Sequence, residues 1–140
     1  KKYFNTLIKK VIISGINPHA GESGLIGNEE LLIIESIKTL NKRYPKILFI
    51  GPIPADTLHL EESNKDEELS VYAYHDQGLT TFKQQNHFIG ANISFGLPYV
   101  RLSVDHGTAM NIYGKSIANP LGSYYVLKTA LQINSINNHD

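Results

Sequence analysis

Three short apolar runs, at residues 11–16, 47–50 and 71–74, each stop at a polar loop carrying glycine or proline, and this pattern constrains the fold most. Between the first two runs, residues 28–44 follow a helical pattern. Asn28 stands at the capping position, Glu29 and Glu30 in the first turn, and Lys42 and Arg43 near the end, where they suit the helix dipole; Pro45 stops it. Strand, helix, strand in that order implies an α/β domain with a largely parallel sheet. Beyond the third run, residues 79–84 read as a helix, 91–95 and 99–104 as strands parted by Gly96-Leu97-Pro98, and 122–133 as a closing helix. Shorter helical turns are expected at 56–60 and 108–113. Residues 61–68 read as a charged surface stretch and 134–140 as a frayed polar tail.

At 140 residues, one core and a single domain are expected. Thirteen basic residues balance thirteen acidic ones, so nothing suggests a nucleic-acid or membrane partner. No apolar run has the length of a membrane span, and the first residues lack the layout of a secretion signal. Cysteine is absent, which excludes disulfides, thiolate zinc sites and a cysteine nucleophile and fits a cytoplasmic protein. A bound metal would need His and carboxylate ligands, suiting zinc, manganese, cobalt or magnesium. Residues 1–7 read as the tail of a helix without a lead-in, so a piece of a longer protein is expected.

The chemistry-bearing residues sit where the runs stop. Tyr74-His75-Asp76-Gln77-Gly78 sets an imidazole beside a carboxylate at a strand end, and Asn17-Pro18-His19-Ala20-Gly21-Glu22 follows the first strand. Neutral imidazole is a good ligand for divalent metals, and Asp76 could be a ligand, an orienting partner or a base. A loop histidine bonding local backbone is the plain alternative for His19, and a histidine capped by its neighbour for His75. The glycine-rich stretch after His19 is neither a P-loop nor a dinucleotide fingerprint. Lys83, Asn92 and Arg101 suit a substrate carrying phosphate or carboxylate. Arg101 stands out because it interrupts an apolar strand, where an unpaired charge is costly. His106 beside Asp105 is a further acid–base candidate. His59, His87 and His139 lack supporting neighbours and are expected to face solvent.

Together these motifs, with Gly51-Pro52-Ile53-Pro54-Ala55-Asp56-Thr57 and Ser103-Val104-Asp105-His106-Gly107-Thr108-Ala109, closely resemble the 4-hydroxythreonine-4-phosphate dehydrogenase family of vitamin B6 synthesis. The resemblance runs from about Val11 to Leu131 and covers only the C-terminal part of that family's proteins. It implies a three-layer α/β/α fold akin to isocitrate and isopropylmalate dehydrogenases, incomplete here because the N-terminal half is absent. It implies a homodimer with the active site at its interface. One divalent metal (Zn, Mg, Mn or Co) is implied, with His19 and His75 as two of three histidine ligands. Substrate binding is implied for Lys83, Asn92 and Arg101. NAD or NADP is the implied cofactor, with His106, Gly107, Thr108 and Ala109 lining the adenosine and Asn119 at the adenine edge. Residues 85–90 depart from the glycine-richer segment of the family.

The implied reaction oxidises 4-phosphooxy-L-threonine, a phosphorylated hydroxy amino acid, and decarboxylates the product to 3-amino-2-oxopropyl phosphate. Asp76 is the candidate general base, by adjacency to His75; Lys83 or a metal-bound water are the alternatives. Two other readings stand beside this one: a related threonate or erythronate 4-phosphate dehydrogenase, and a non-catalytic, dimerising fragment. The isolated chain is expected to be inactive.

Overall fold

The computed structural model describes residues 7–63 and 67–137, with side chains to residue 135. Residues 1–6 of the helix tail expected at 1–7, residues 64–66 of the charged stretch, and residues 138–140 with His139 lie outside the described residues; Leu7 is not helical, and residues 134–137, expected to be frayed, continue the last helix. The chain divides into two compact units, one ending at Thr81 and the other beginning at Phe82.

The first unit is built on a parallel sheet of β1 (Lys10–Ser14), β2 (Leu48–Ile53) and β3 (Glu68–Val71) in the order β2-β1-β3. The central strand is the most buried: Val11 is 7% exposed, and Ile12 and Ser14 0%. Helix α1 (Glu30–Arg43) packs on β2 and buries Ile37. It starts two residues later than expected; Glu29 holds the capping position without a side-chain cap bond, and Asn28 does not cap. Its Asn41 amide donates to the Phe49 carbonyl at 2.9 Å and accepts from the Phe49 N–H at 3.0 Å, satisfying an edge-strand backbone pair.

β2 runs on to Ile53, past the expected stop at residue 50. The β1–β2 register slips between Ile12 and Ser14, opposite Gly51-Pro52. Proline has no N–H for a ladder, so an irregularity is where a strand tolerates it. Gly51 has φ 138°, and a Cβ there would strike the Ile13 carbonyl oxygen. The helix expected at 56–60 is a 3-10 turn, Leu58–Leu60, that seats the fully buried Leu58. His59, expected to face solvent, is half-buried, and its Nδ1 has no hydrogen-bond partner among the described residues.

The strand expected at 71–74 ends at Val71, and α2 (His75–Asn86) is longer than the 79–84 segment read from the sequence. His75 therefore opens a helix rather than closing a strand.

From Phe82 onward, β4 (Ala91–Ser94) and β5 (Arg101–Val104) form an antiparallel pair, with α3 (Leu121–Asn137) packed on it through Ile133, which is 2% exposed. The sheet content is thus parallel in the first unit only. The connection at residues 95–100 is too short for the crossover that a parallel pair needs. Arg101 begins β5 on an exposed end instead of interrupting a buried strand, so the expected burial cost does not arise. The turn expected at 108–113 is a 3-10 turn at Met110–Ile112. Among the described residues no helix is long and apolar enough to cross a membrane.

The core of the first unit is small, so single truncations in it should be felt. Ile12→Ala and Leu58→Ala are each expected to destabilise by about 2–5 kcal/mol in urea unfolding. The exposed Leu32→Ala should stay within about 0.5 kcal/mol.

Candidate metal and substrate site

All three parallel strands exit at one end of the sheet, and each exit leads into a chemistry-bearing motif. β1 leads to His19, β2 to Asp56 and β3 to His75. Open parallel sheets place their ligand sites at the carboxyl ends of the strands. Neighbouring strands lie about 4.8 Å apart, so the segments bearing His19 and His75 leave the sheet side by side.

The His19 segment is unusual in backbone. Within the turn Pro18–Gly24, His19, Ala20, Gly21, Glu22 and Ser23 have φ of 52°, 51°, 77°, 43° and 58°, a left-handed run. Each residue with a Cβ held there costs about 1–2 kcal/mol, so something must hold the turn closed. That group is Glu30, only 6% exposed. Its Oε1 accepts from the backbone N–H of Ile16 at 3.0 Å and of Asn17 at 2.7 Å. Its Oε2 accepts from the Asn17 side-chain amide at 2.9 Å. Gly21 lies against this carboxylate, and a Cβ there would sit 2.7 Å from Oε2. The backbone N–H of Asn17, then its side-chain amide, hold the Glu30 carboxyl below the ordinary carboxylate range.

The His75 segment is held by a second network. Ser14 Oγ, fully buried at the end of β1, accepts from the Ala73 N–H at 3.0 Å and donates to Gln77 Oε1 at 3.2 Å. Gln77 Oε1 also accepts from the Tyr74 N–H at 3.0 Å, reaching back to the residue before α2 as the third residue of a capping box does. Gly78 has no side chain because the Tyr72 ring occupies the space a Cβ would take.

Both candidate ligands turn Nδ1 to a carboxylate. His19 Nδ1 lies 2.7 Å from Glu22 Oε1, and His75 Nδ1 lies 2.8 Å from Asp76 Oδ1. The hydrogen bond and charge of Glu22 raise the His19 pKa, with a smaller contribution from the Asp56 charge. A carboxylate on Nδ1 fixes the tautomer that offers Nε2 to a metal, so the donor chemistry fits a divalent cation. The set is incomplete, because catalytic metal sites commonly use three protein ligands. Among the described residues no group of three or more His, Asp or Glu gathers as a metal cluster. Asp76, the candidate base, has one oxygen engaged by His75, and its side chain is 96% exposed.

In the second unit, Asn92 pairs with Ser103 and Ser94 with Arg101 across the β4–β5 ladder. Residues two apart share a face, so Asn92 and Arg101 are diagonal neighbours about 7–8 Å apart. Arg101 Nη1 reaches Ser94 Oγ at 3.4 Å. Lys83 is exposed in the last turn of α2. His106 and Asn119 line a small cleft with His87, Phe88, Asp105 and Gly122. His87, expected to be an unengaged surface residue, thus belongs to it. Asn119 Oδ1 accepts from the Leu121 N–H at 3.0 Å at the start of α3. A Cβ on Gly107 would meet nothing within 4 Å, and one on Gly122 would make ordinary contacts, 3.5 Å from the Phe88 carbonyl oxygen and 3.6 Å from His106, so packing at neither position requires glycine. The rings of His87, Phe88 and His106 and the polar groups of Asp105 and Asn119 that line the cleft suit a flat, polar-edged group.

Sequence reasoning missed Glu30, Gln77, Ser14 and Asp56. Glu30 looks like any first-turn carboxylate, and only its burial marks it out. Asp56 was within a quoted motif, but its charge at His19 is visible only in the structure.

Residues 1–130 match the model of the family described as pyridoxal phosphate biosynthetic protein PdxA. A 4-hydroxythreonine-4-phosphate dehydrogenase of Xanthomonas campestris pv. campestris (strain B100) is 45% identical over 112 residues, 79% of this chain and 34% of the relative. The crystal structure of a 4-hydroxythreonine-4-phosphate dehydrogenase from Burkholderia phymatum matches with TM-score 0.66 and 38% identity, covering 90% of this chain and 38% of that one. A terephthalate 1,2-cis-dihydrodioldehydrogenase from Burkholderia xenovorans LB400 matches with TM-score 0.61 and 33% identity, covering 88% of this chain and 40% of that one. The chain thus spans little more than a third of the lengths it matches.

Glu30 also sets a pH dependence. Its folded pKa is depressed, so its contribution to stability is present above the ordinary glutamate value and is lost as pH falls through the folded one. Glu30→Gln should lower the Tm by several degrees at neutral pH and flatten the acid limb of a Tm–pH curve. An acid limb identical to that of the unsubstituted chain would contradict this role.

Proposed function

Because the chain belongs to the PdxA family of pyridoxal phosphate biosynthetic proteins, we propose that it forms the C-terminal part of a 4-hydroxythreonine-4-phosphate dehydrogenase. The observation that carries this reading is the convergence of His19, Asp56 and His75 motifs on one end of a parallel sheet. The substrate would be 4-phosphooxy-L-threonine. Oxidation of its secondary hydroxyl gives a β-keto acid, which loses CO2 as the bonding electrons move into the ketone and leaves 3-amino-2-oxopropyl phosphate.

His19 and His75 would hold the divalent cation through Nε2, with the third ligand supplied from outside this chain. A cation there supplies Lewis acidity to the substrate's alcohol and ketone oxygen. NAD or NADP supplies the hydride acceptor, and the cleft of His106 and Asn119, with Gly107 to Ala109 beside it, is the candidate place for the adenosine. Lys83 and Arg101 are fixed cations for the phosphate and carboxylate, with the Asn92 amide beside Arg101 setting orientation. Asp76 remains the candidate base and, through His75 Nδ1, also orients that ring. Asp76→Asn with metal content and turnover both unchanged would remove it as the base.

A homodimer with a shared site is supported by the exposed apolar side chains of α3, where Tyr124 is 59%, Leu127 66% and Leu131 71% exposed. A grouping of that kind marks a contact surface more often than free solvent-facing protein. The likeness to a dihydrodiol dehydrogenase at 33% identity favours a second reading, the same machinery acting on a different acid. The threonate and erythronate 4-phosphates belong with it.

Assaying the longer protein with NAD and NADP against 4-phosphooxy-L-threonine and threonate 4-phosphate separates the readings. Higher kcat/KM on the amino acid is expected, and preference for the sugar acid would overturn the first reading. Arg101→Ala and Lys83→Ala should each raise KM at least about tenfold, a loss of about 1.4 kcal/mol. The 140-residue chain alone should show no turnover.

A further inference from the structure

Gln77 appears in no catalytic or binding role above, yet it joins the two segments that carry the histidines. Its Nε2 donates to the Gly15 carbonyl at 3.1 Å, two residues before Asn17 and at the root of the His19 turn. Its Oε1 accepts from Tyr74 N–H, immediately before His75, and from the Ser14 hydroxyl. One side-chain amide therefore spans from the exit of β1 to the first turn of α2. Gly15 is the point where the Glu30 network begins, since Ile16 and Asn17 follow it. The two networks share one short stretch of backbone, residues 14–17.

We propose that Gln77 is a positioning residue that sets the spacing between the His19 and His75 imidazoles, and hence the bite of the metal site; this rests on the metal reading given above. An amide suits the task because it must donate at one end and accept at the other. A carboxylate in its place would face the Gly15 carbonyl with a second acceptor, and a lysine would lose the acceptor for Tyr74. Neither Gln77 nor Ser14 touches the metal, so their loss should leave the ligands in place but free to drift apart. Partners of this kind alter metal affinity by about 10–100-fold where they orient ligands directly.

The test is an NMR titration of the longer protein, labelled with 15N-histidine, with diamagnetic Zn2+, following the side-chain 15N signals of His19 and His75 at a pH slightly above neutral. In the unsubstituted chain both imidazoles should respond with one shared apparent affinity. In Gln77→Met the shared affinity should fall about tenfold or more, and the two rings should titrate separately, while far-UV circular dichroism keeps the helices. A merely structural role would lower the Tm but leave the affinity of the folded chain unchanged. If the two rings of the unsubstituted chain titrate independently, the metal reading itself fails and this inference falls with it. If they titrate together and folded Gln77→Met binds as well as the unsubstituted chain, the inference alone is overturned. Should Gln77→Met not fold, Gln77→Glu decides, because it keeps the acceptor for Tyr74 and Ser14 and loses only the bond to the Gly15 carbonyl. A weakening of about threefold or more is expected there, and no change would overturn the inference.

Discussion

The buried Glu30 carboxylate is the constraint on which the candidate site depends. A run of five left-handed residues does not persist by itself, since each one with a Cβ works against the chirality of the chain. Glu30 supplies what the turn cannot, two backbone hydrogen bonds and one side-chain bond to the stretch that leads into it. The helix that carries Glu30 is in turn seated on β2 through Ile37 and Asn41. Strain at the turn is thus balanced by packing in the sheet, and His19 sits where the two meet.

The same economy of parts appears on the other side. Ser14 ends the central strand with its hydroxyl buried, and the groups it satisfies, the Ala73 N–H and Gln77 Oε1, flank His75 on either side. Buried polar groups of this kind leave little room for alternative arrangements, because any shift strands a donor or an acceptor. The site is consequently most rigid at its base, in residues 14–17 and 73–77. It is most open at its tips, where the imidazoles and Asp76 face solvent.

The β-α-β order, the strand-end placement of His19 and the helical pattern of α1 were legible in the sequence because hydrophobic periodicity is a local signal, whereas the cap expected at Asn28 was not used. The boundary at Val71 was not, because the apolar run continues to Tyr74 while the backbone is captured by Gln77 and Ser14. Hydrophobicity marks burial, not the residue at which a ladder gives way to a cap. Arg101 misled for a related reason: its neighbours are apolar, but it stands first in an edge pairing, at an exposed position. The roles of Glu30 and Gln77 could not be read, since their partners, backbone groups together with the Asn17 amide and the Ser14 hydroxyl, are brought near only by the fold.

The central claim is that imidazoles on two adjacent strand exits share one cation. Anomalous diffraction from Co2+-soaked crystals of the longer protein tests it most directly. The account predicts one peak about 2.0–2.3 Å from Nε2 of both His19 and His75. A peak on one ring alone, or none within reach of either, would contradict it.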